Sequence, residues 1–316
     1  MEETEKFDIA IIGTGMIGTS FAVMFTGHGY KTTLYAMNDE LAQKSEEGYD
    51  NFYKDLVDHD CMTAEQAAVC KKYLNYTLDY KDIADADFVC ECAIEKIEVK
   101  HAIYKEIEAN IDDPRAIIST SSAISPDDLV TGLTKFADRM LVAHPFFPPH
   151  VIPFVEAVKS QKTTEEAAQT AKAVLESAGR EVVVLKKNAP GFLANRLQHA
   201  IFREAMYIVQ EGIADPRDVD KAAMYSFMPR YTKIGIFEHV DNSGVDLNYD
   251  IEKYLFKYLC NHDGVMPMIE DLYNKGEYGV KTGKGVYDWS NVDMKDFQER
   301  IYEPYWSFID WDLPEE

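Results

Sequence analysis

Short apolar runs alternate with amphipathic stretches through the first 187 residues, and beyond residue 188 only the amphipathic stretches continue. The apolar runs at 7–12, 31–36, 88–94, 116–119, 140–143, 154–158 and 181–185 predict strands, since each is bounded by turn-forming or charged residues. Helical spacing predicts helices after Gly18, over 96–110 and over 164–178, with a short one opened by Ser125-Pro126-Asp127-Asp128. Residues 40–76 read as a long polar helical excursion. Strand and helix units repeated in this order imply an α/β fold: a doubly wound, mostly parallel sheet of Rossmann type. Asn188 then reads as a helix cap with Pro190 in the first turn, and Phe192, Leu193, Leu197, Ala200, Ile201, Ala205, Ile208 and Val209 make an apolar stripe ending at Gly212. Further helices are expected at about 216–228, 247–261 and 265–275, so a smaller all-helical domain, 188–316, follows an α/β domain, 1–187.

The first strand runs directly into Gly13-Thr-Gly15-Met16-Ile17-Gly18 and then into a helix with Ile17, Phe21, Met24 and Phe25 on one side. A glycine pattern in that context binds a dinucleotide. Gly13 permits the tight turn, Gly15 lets backbone approach a pyrophosphate, and Gly18 lets the helix pack on the strand. The phosphates rest on the positive helix N-terminus. Residues 1–187 are therefore read as the dinucleotide-binding domain.

Composition narrows the partners. A formal net charge of -23 disfavours nucleic acid and anionic membrane surfaces, and no apolar run approaches membrane-spanning length. The N-terminus shows no basic and apolar leader before Phe7, so a soluble cytoplasmic protein is expected. Cys61, Cys70, Cys90, Cys92 and Cys260 have neither disulfide nor metal-ligand spacing, and the eight histidines form no ligand cluster. No metal is expected. Cys90 and Cys92 lie on one face of a strand and read as small buried apolar residues.

Candidate chemistry gathers at strand ends. The run Met140-Leu-Val-Ala143 delivers His144 at its C-terminal end, followed by a proline-rich loop, and Glu156 falls on the next strand, where a short return places a carboxylate behind the imidazole. Asn195 lies beside the apolar stripe of the first helix in the second domain.

Several stretches together resemble the L-3-hydroxyacyl-CoA dehydrogenase family, and within it the branch of lambda-crystallin, L-gulonate 3-dehydrogenase and carnitine dehydrogenase. They are Gly13 to Gly18, Glu95-Lys-Ile-Glu-Val-Lys100, Ser119-Thr-Ser121-Ser122, His144-Pro-Phe-Phe-Pro-Pro with Glu156, Pro190-Gly-Phe-Leu-Ala-Asn195-Arg-Leu, and Lys281-Thr-Gly-Lys-Gly-Val-Tyr-Asp. The resemblance implies His144 as general base, Glu156 as its orienter, Ser121 and Asn195 as donors near the reacting oxygen, and Glu95 and Lys100 as cofactor contacts. Ser122 stands beside Ser121 and shares the claim to substrate. It also implies a dimer through the helical domain, and the tail from Asp296, with Trp306 and Trp311, is expected either to pack across that interface or to close the cleft. Residue types fit the implied reaction: oxidation of a secondary hydroxyl needs one poised base and donors on the oxygen.

Two departures modify the picture. The excursion after the second strand is acidic where CoA-using members carry basic residues, and Arg230, in Met228-Pro-Arg-Tyr231, resembles the free-acid branch, where it would clamp a carboxylate. A 3-hydroxy acid interconverted with its 3-oxo acid is thus the expected substrate; a 3-hydroxyacyl-CoA is the alternative, and a nucleotide-bound structural or sensor protein a further one. At the end of the second strand Ala36 stands where an NAD-binding member usually has Asp, with Asn38 available to the ribose. NAD remains the expected cofactor because Asp39 and Glu40 oppose a 2′-phosphate, and NADP is the alternative.

Overall fold

The computed structural model describes residues 6–314. Eight strands form one sheet: β1 (Ile9–Ile12), β2 (Thr32–Tyr35), β3 (Leu74–Thr77), β4 (Phe88–Glu91), β5 (Ala116–Ser119), β6 (Met140–Pro145), β7 (Phe154–Lys159) and β8 (Glu181–Val184), in the order β3-β2-β1-β4-β5-β6-β7-β8. All neighbouring pairs are parallel except β6 with β7. Helices α1 (Met16–Gly27), α2 (Asp39–Asp58), α3 (Ala64–Lys71), α4 (Ile97–Asn110), α5 (Pro126–Leu129) and α6 (Glu165–Ser177) make the crossovers.

Strand periodicity explains the layering. On β1, Ile9 and Ile11 face one side and pack with Phe21 and Phe25 of α1, whereas Ala10 and Ile12 face the other and pack with Tyr104 and Ile107 of α4. Both sheet faces are covered, so strand interiors read as continuous apolar runs. Cys90 and Cys92 lie in the same core cluster as Ile9 and Ile11.

Part of the polar excursion is not helical. Leu74-Asn-Tyr-Thr77 is an edge strand paired with β2, and its mixed burial gives too weak a pattern to separate it from the preceding helices. The long helix of the second half, α7 (Ala194–Gln210), begins later than its sequence suggests. Gly191 and Phe192 both adopt positive φ, 77° and 46°, so residues 189–193 form a turn in which Asn188 cannot cap a helix.

The chain divides into two compact units, 1–193 with 298–316, and 194–297. The second contains α7, α8 (Pro216–Ala222), α9 (Ile236–Ser243), α10 (Val245–Leu255) and α11 (Pro267–Asn274), and α12 (Met294–Trp306) leads back to the first. The boundary read from sequence put the tail with the helical domain, and here the structure differs. Trp306 stacks on His59 at 4.1 Å between ring centroids, and Trp311 covers Gly27, where a Cβ would come within 2.4 Å of its ring. These contacts fasten the tail to the ends of α1 and α2, far along the chain from the segment that produced it.

Candidate active site

The turn after β1 has three glycines in three different environments. Gly13 has φ +123°, and a Cβ there would lie 2.7 Å from the Cys92 carbonyl oxygen. A Cβ on Gly18 would lie 1.9 Å from the Gly13 carbonyl oxygen. Above Gly15 there is nothing within 4 Å. Two glycines are thus required by the protein's own backbone, and the third leaves open space at a helix start. No acidic residue stands in the first turn of α1, and the first intrahelical bond is Thr19 N–H to the Gly15 carbonyl, so the N–H groups of Met16, Ile17 and Gly18 precede it. That cradle fits a pyrophosphate in steric and electrostatic terms. It lies beside the β1–β4 junction, where strand order reverses.

At the end of β2, Ala36 is buried and its N–H donates to the Thr77 carbonyl at 2.9 Å. Asn38 caps α2, its Oδ1 accepting from Leu41 N–H at 2.9 Å, which leaves its amide nitrogen as donor. Asp39 and Glu40 occupy the exposed first turn beside it.

Below the turn lies a charged network that the sequence reading did not single out. Glu91, the last residue of β4, is wholly buried and accepts from Lys100 Nζ at 2.8 and 2.9 Å, Ser119 Oγ at 2.6 Å, Tyr104 Oη at 3.1 Å and Ala93 N–H at 2.7 Å. The clue in the sequence was a carboxylate in the middle of an apolar run, which demands a buried partner nearby. Lys100 is that partner. It too is wholly buried, so the cofactor contact expected of Lys100 is not offered in this arrangement; its ammonium supports Glu91 and stands 3.7 Å from Glu95.

Glu95 is partly exposed and grips the loop after β5. Its Oε1 accepts from Ser121 Oγ at 2.5 Å and from the backbone N–H groups of Ser122, Ala123 and Ile124 at 3.1, 2.8 and 3.1 Å. Burial alone would raise its pKa, but the Ser121 and backbone hydrogen bonds, with the Lys100 charge, hold it below the ordinary carboxylate value. Ser121 itself is buried, donating to Glu95 and accepting from Ile124 N–H at 3.2 Å. The Ser121 hydroxyl is thus engaged within the loop, and its neighbour Ser122 is exposed.

The antiparallel pairing of β6 and β7 sets His144 directly opposite Glu156. His144 Nδ1 lies 3.1 Å from Glu156 Oε2, and Glu156 Oε1 accepts Leu193 N–H at 2.6 Å. The carboxylate is wholly buried and the imidazole side chain 12% exposed. Because an ionised carboxylate only accepts, Nδ1 carries a proton, and in the neutral form of the ring the lone pair falls on Nε2. Phe146 and Phe192 wall the imidazole, with ring centroids 5.9 and 5.6 Å away. Phe192 and the Leu193 N–H are a second feature missed from sequence, since the left-handed turn that presents them appears only in the backbone.

Asn195 and Arg230 belong to the second unit. Asn195 is half-buried in the first turn of α7. Arg230 is exposed, with Nη1 3.0 Å from His239 Nε2 and Nη2 donating to the Ser226 carbonyl at 3.2 Å. Among the described residues, no group of three or more His, Cys, Asp or Glu is arranged to hold a metal ion.

Comparison with known proteins gives the family. The family model "3-hydroxyacyl-CoA dehydrogenase, NAD binding domain" matches residues 8–189, and "3-hydroxyacyl-CoA dehydrogenase, C-terminal domain" matches residues 191–289. The chain is 30% identical to an L-carnitine dehydrogenase of Oceanobacillus iheyensis over 78% of its own length and 80% of the relative's. It is 28% identical to a 5-formyl-3-hydroxy-2-methylpyridine 4-carboxylate 5-dehydrogenase of Mesorhizobium japonicum over 92% and 93%. A solved structure of an enzyme of that name, described as an NAD+ dependent dismutase, superposes with a TM-score of 0.85 at 27% identity, covering 96% of this chain and 97% of the other. The chain belongs to the 3-hydroxyacyl-CoA dehydrogenase family and is an NAD-dependent oxidoreductase of the CH–OH group.

Proposed function

We propose that this enzyme interconverts a small free 3-hydroxy acid and its 3-oxo acid, with His144 as the acid/base. The observation that carries the proposal is the His144–Glu156 pair across the β6–β7 register, in which Nδ1 faces the carboxylate and, in the neutral ring, Nε2 is the basic nitrogen, with Phe146 and Phe192 walling the imidazole. In the oxidative direction Nε2 takes the hydroxyl proton, and Glu156, held in turn by Leu193 N–H, orients the ring and stabilises the imidazolium. NAD, when bound, supplies the hydride acceptor. Gly13, Gly15, Met16, Ile17 and Gly18 seat its pyrophosphate, while Ala36, Asn38 and Glu95 border its remainder. Ser122 and Asn195 donate to the reacting oxygen, and Lys100 and Ser121 hold Glu95 and its loop from beneath.

Charge supports a free acid over a CoA thioester. The exposed face of α2 carries Asp39, Glu40, Glu46, Glu47, Asp50, Asp55 and Asp58 against Lys44 and Lys54, so this surface is acidic on balance and disfavours a nucleotide phosphate. Arg230 supplies a guanidinium for a substrate carboxylate instead. The carnitine and pyridine carboxylate relatives are named for small acids as well. The helical unit leaves many large apolar side chains exposed, including Tyr225 and Phe237 at 83% each, which supports a homodimer through residues 194–297. Five cysteines without a disulfide among the described residues, and no described helix long and apolar enough to cross a membrane, support a cytoplasmic location.

A cofactor and substrate panel tests the reading: NAD and NADP, each with L-carnitine, 3-hydroxybutyrate, L-gulonate and 3-hydroxybutyryl-CoA. Turnover of a free acid with NAD is expected. Turnover confined to the thioester would overturn the substrate class and leave the oxidoreductase assignment standing.

A further inference from the structure

Eight residues, 146–153, join β6 to β7 and close the hairpin whose two strands carry His144 and Glu156. This hairpin loop is fastened to the cofactor helix by one buried pair. Ser20, in the second turn of α1, has no exposed surface, and His150, in the loop, is 2% exposed. His150 N–H donates to Ser20 Oγ at 3.0 Å, and the same Oγ lies 2.6 Å from His150 Nδ1. One hydroxyl thus meets the loop twice, accepting the backbone N–H of His150 and sharing a hydrogen bond with its Nδ1. Burial, with the Arg180 charge behind it, pushes the pKa of His150 down to about 3, which keeps the ring neutral at working pH. Phe52 of α2 packs on the imidazole at 4.5 Å, and Arg180 Nη1 donates to the adjacent Pro149 carbonyl at 2.5 Å.

Stability alone does not require this arrangement. A leucine or phenylalanine would fill the same space without burying polar groups, whereas two short directional bonds to one oxygen fix position closely. What they fix is the catalytic hairpin against the helix whose first turn seats the pyrophosphate.

We propose that Ser20 and His150 are positioning residues of the reaction, which tie the hairpin of His144 and Glu156 to the cofactor helix so that base and cofactor keep one separation. The proposal rests on His144 as the base. Reacting groups displaced by even about 1 Å lose on the order of a hundredfold in rate, so the link acts on turnover rather than on binding.

The test compares Ser20→Ala, His150→Leu and His150→Asn with wild type, using a free 3-hydroxy acid with and without deuterium at C3, and titrating NADH by its fluorescence. His150→Leu and Ser20→Ala should lower kcat by about tenfold to a hundredfold, raise the deuterium isotope effect as hydride transfer becomes limiting, and keep the NADH Kd within about threefold. His150→Asn, whose amide offers both an acceptor and a donor near the place of Nδ1, should recover most of kcat. Wild-type kcat and isotope effect in the Leu and Ala variants, with only the melting temperature lowered, would show a packing role and overturn the proposal. So would weakened NADH binding at unchanged kcat. If Ser20→Ala does not fold, the contrast of Asn with Leu at position 150 decides. His144→Gln in the same assay separates the two ideas: if it keeps its rate, the assignment of the base fails, whereas its inactivity beside normal Ser20 and His150 variants counts against positioning alone.

Discussion

Burial strips the charge from two histidines, His28 and His150, neither of which carries the proton of the proposed reaction. His28 is pushed down to about 4, mainly by burial and partly by Arg180, against a Met24 carbonyl bond that works the other way; His150 is pushed down to about 3. The sign of the linkage follows directly. The unfolded chain takes up protons on these residues near pH 6.5, and the folded chain resists until about 4 and 3. Their stability contribution is therefore intact above pH 6.5 and is lost as pH falls below it, by a few kcal/mol in total order of magnitude. Melting temperatures measured from pH 7.5 to 4.5 should fall on the acid side, and His28→Gln should flatten the slope. An unchanged slope in that variant would contradict the account of His28. Residue chemistry was legible in sequence where it depends on strand position, as for His144 and Glu156, which alternate into register across one hairpin. It was not legible where depth decides. Lys100 and Ser121 carry the right groups in the right motif, yet both are buried by α4 and the β5 loop and spend their donors internally.

The strand, turn and helix around Gly13, Gly15 and Gly18 show an element whose sequence specifies it almost completely. Two of its glycines answer to backbone crowding and one to open space, which gives opposite expectations for the same substitution. Gly18→Ala should destabilise the fold by several kcal/mol, because its Cβ meets the Gly13 carbonyl and overpacking there has no flexible neighbour to move. Gly15→Ala should change stability by less than about 1 kcal/mol and weaken NADH binding instead. Thermal melts and NADH titrations of both variants check this, and an equal loss of stability in the two would contradict the division of roles. Other elements were less legible. The edge strand β3 was hidden in a polar stretch because it buries only part of one face, and the start of α7 was displaced by a left-handed turn at Gly191 and Phe192 that helical periodicity does not register.

At the scale of the whole molecule, the two units differ in how well they satisfy their own apolar surface. The first buries both sheet faces and draws the tail back over α1 and α2 through Trp306 and Trp311. The second buries almost none of its large side chains, with Cys260 and Met266 among the few. Light scattering should accordingly report a dimer at micromolar concentration, and charged substitutions at Phe237 and Tyr225 should shift it toward monomer; a monomeric wild type would remove the proposed use of this surface. The tail's return could not be read from sequence, since tryptophans among acids carry no address until Gly27 opens a slot for one of them. The central claim, that His144 moves the proton while a separate turn holds NAD, is tested most directly by the His144→Gln variant, measuring turnover and NADH affinity on one preparation. The account predicts a rate lower by about a hundredfold to ten-thousandfold with NADH affinity unchanged. A variant that binds NADH normally and keeps a near wild-type rate would contradict it.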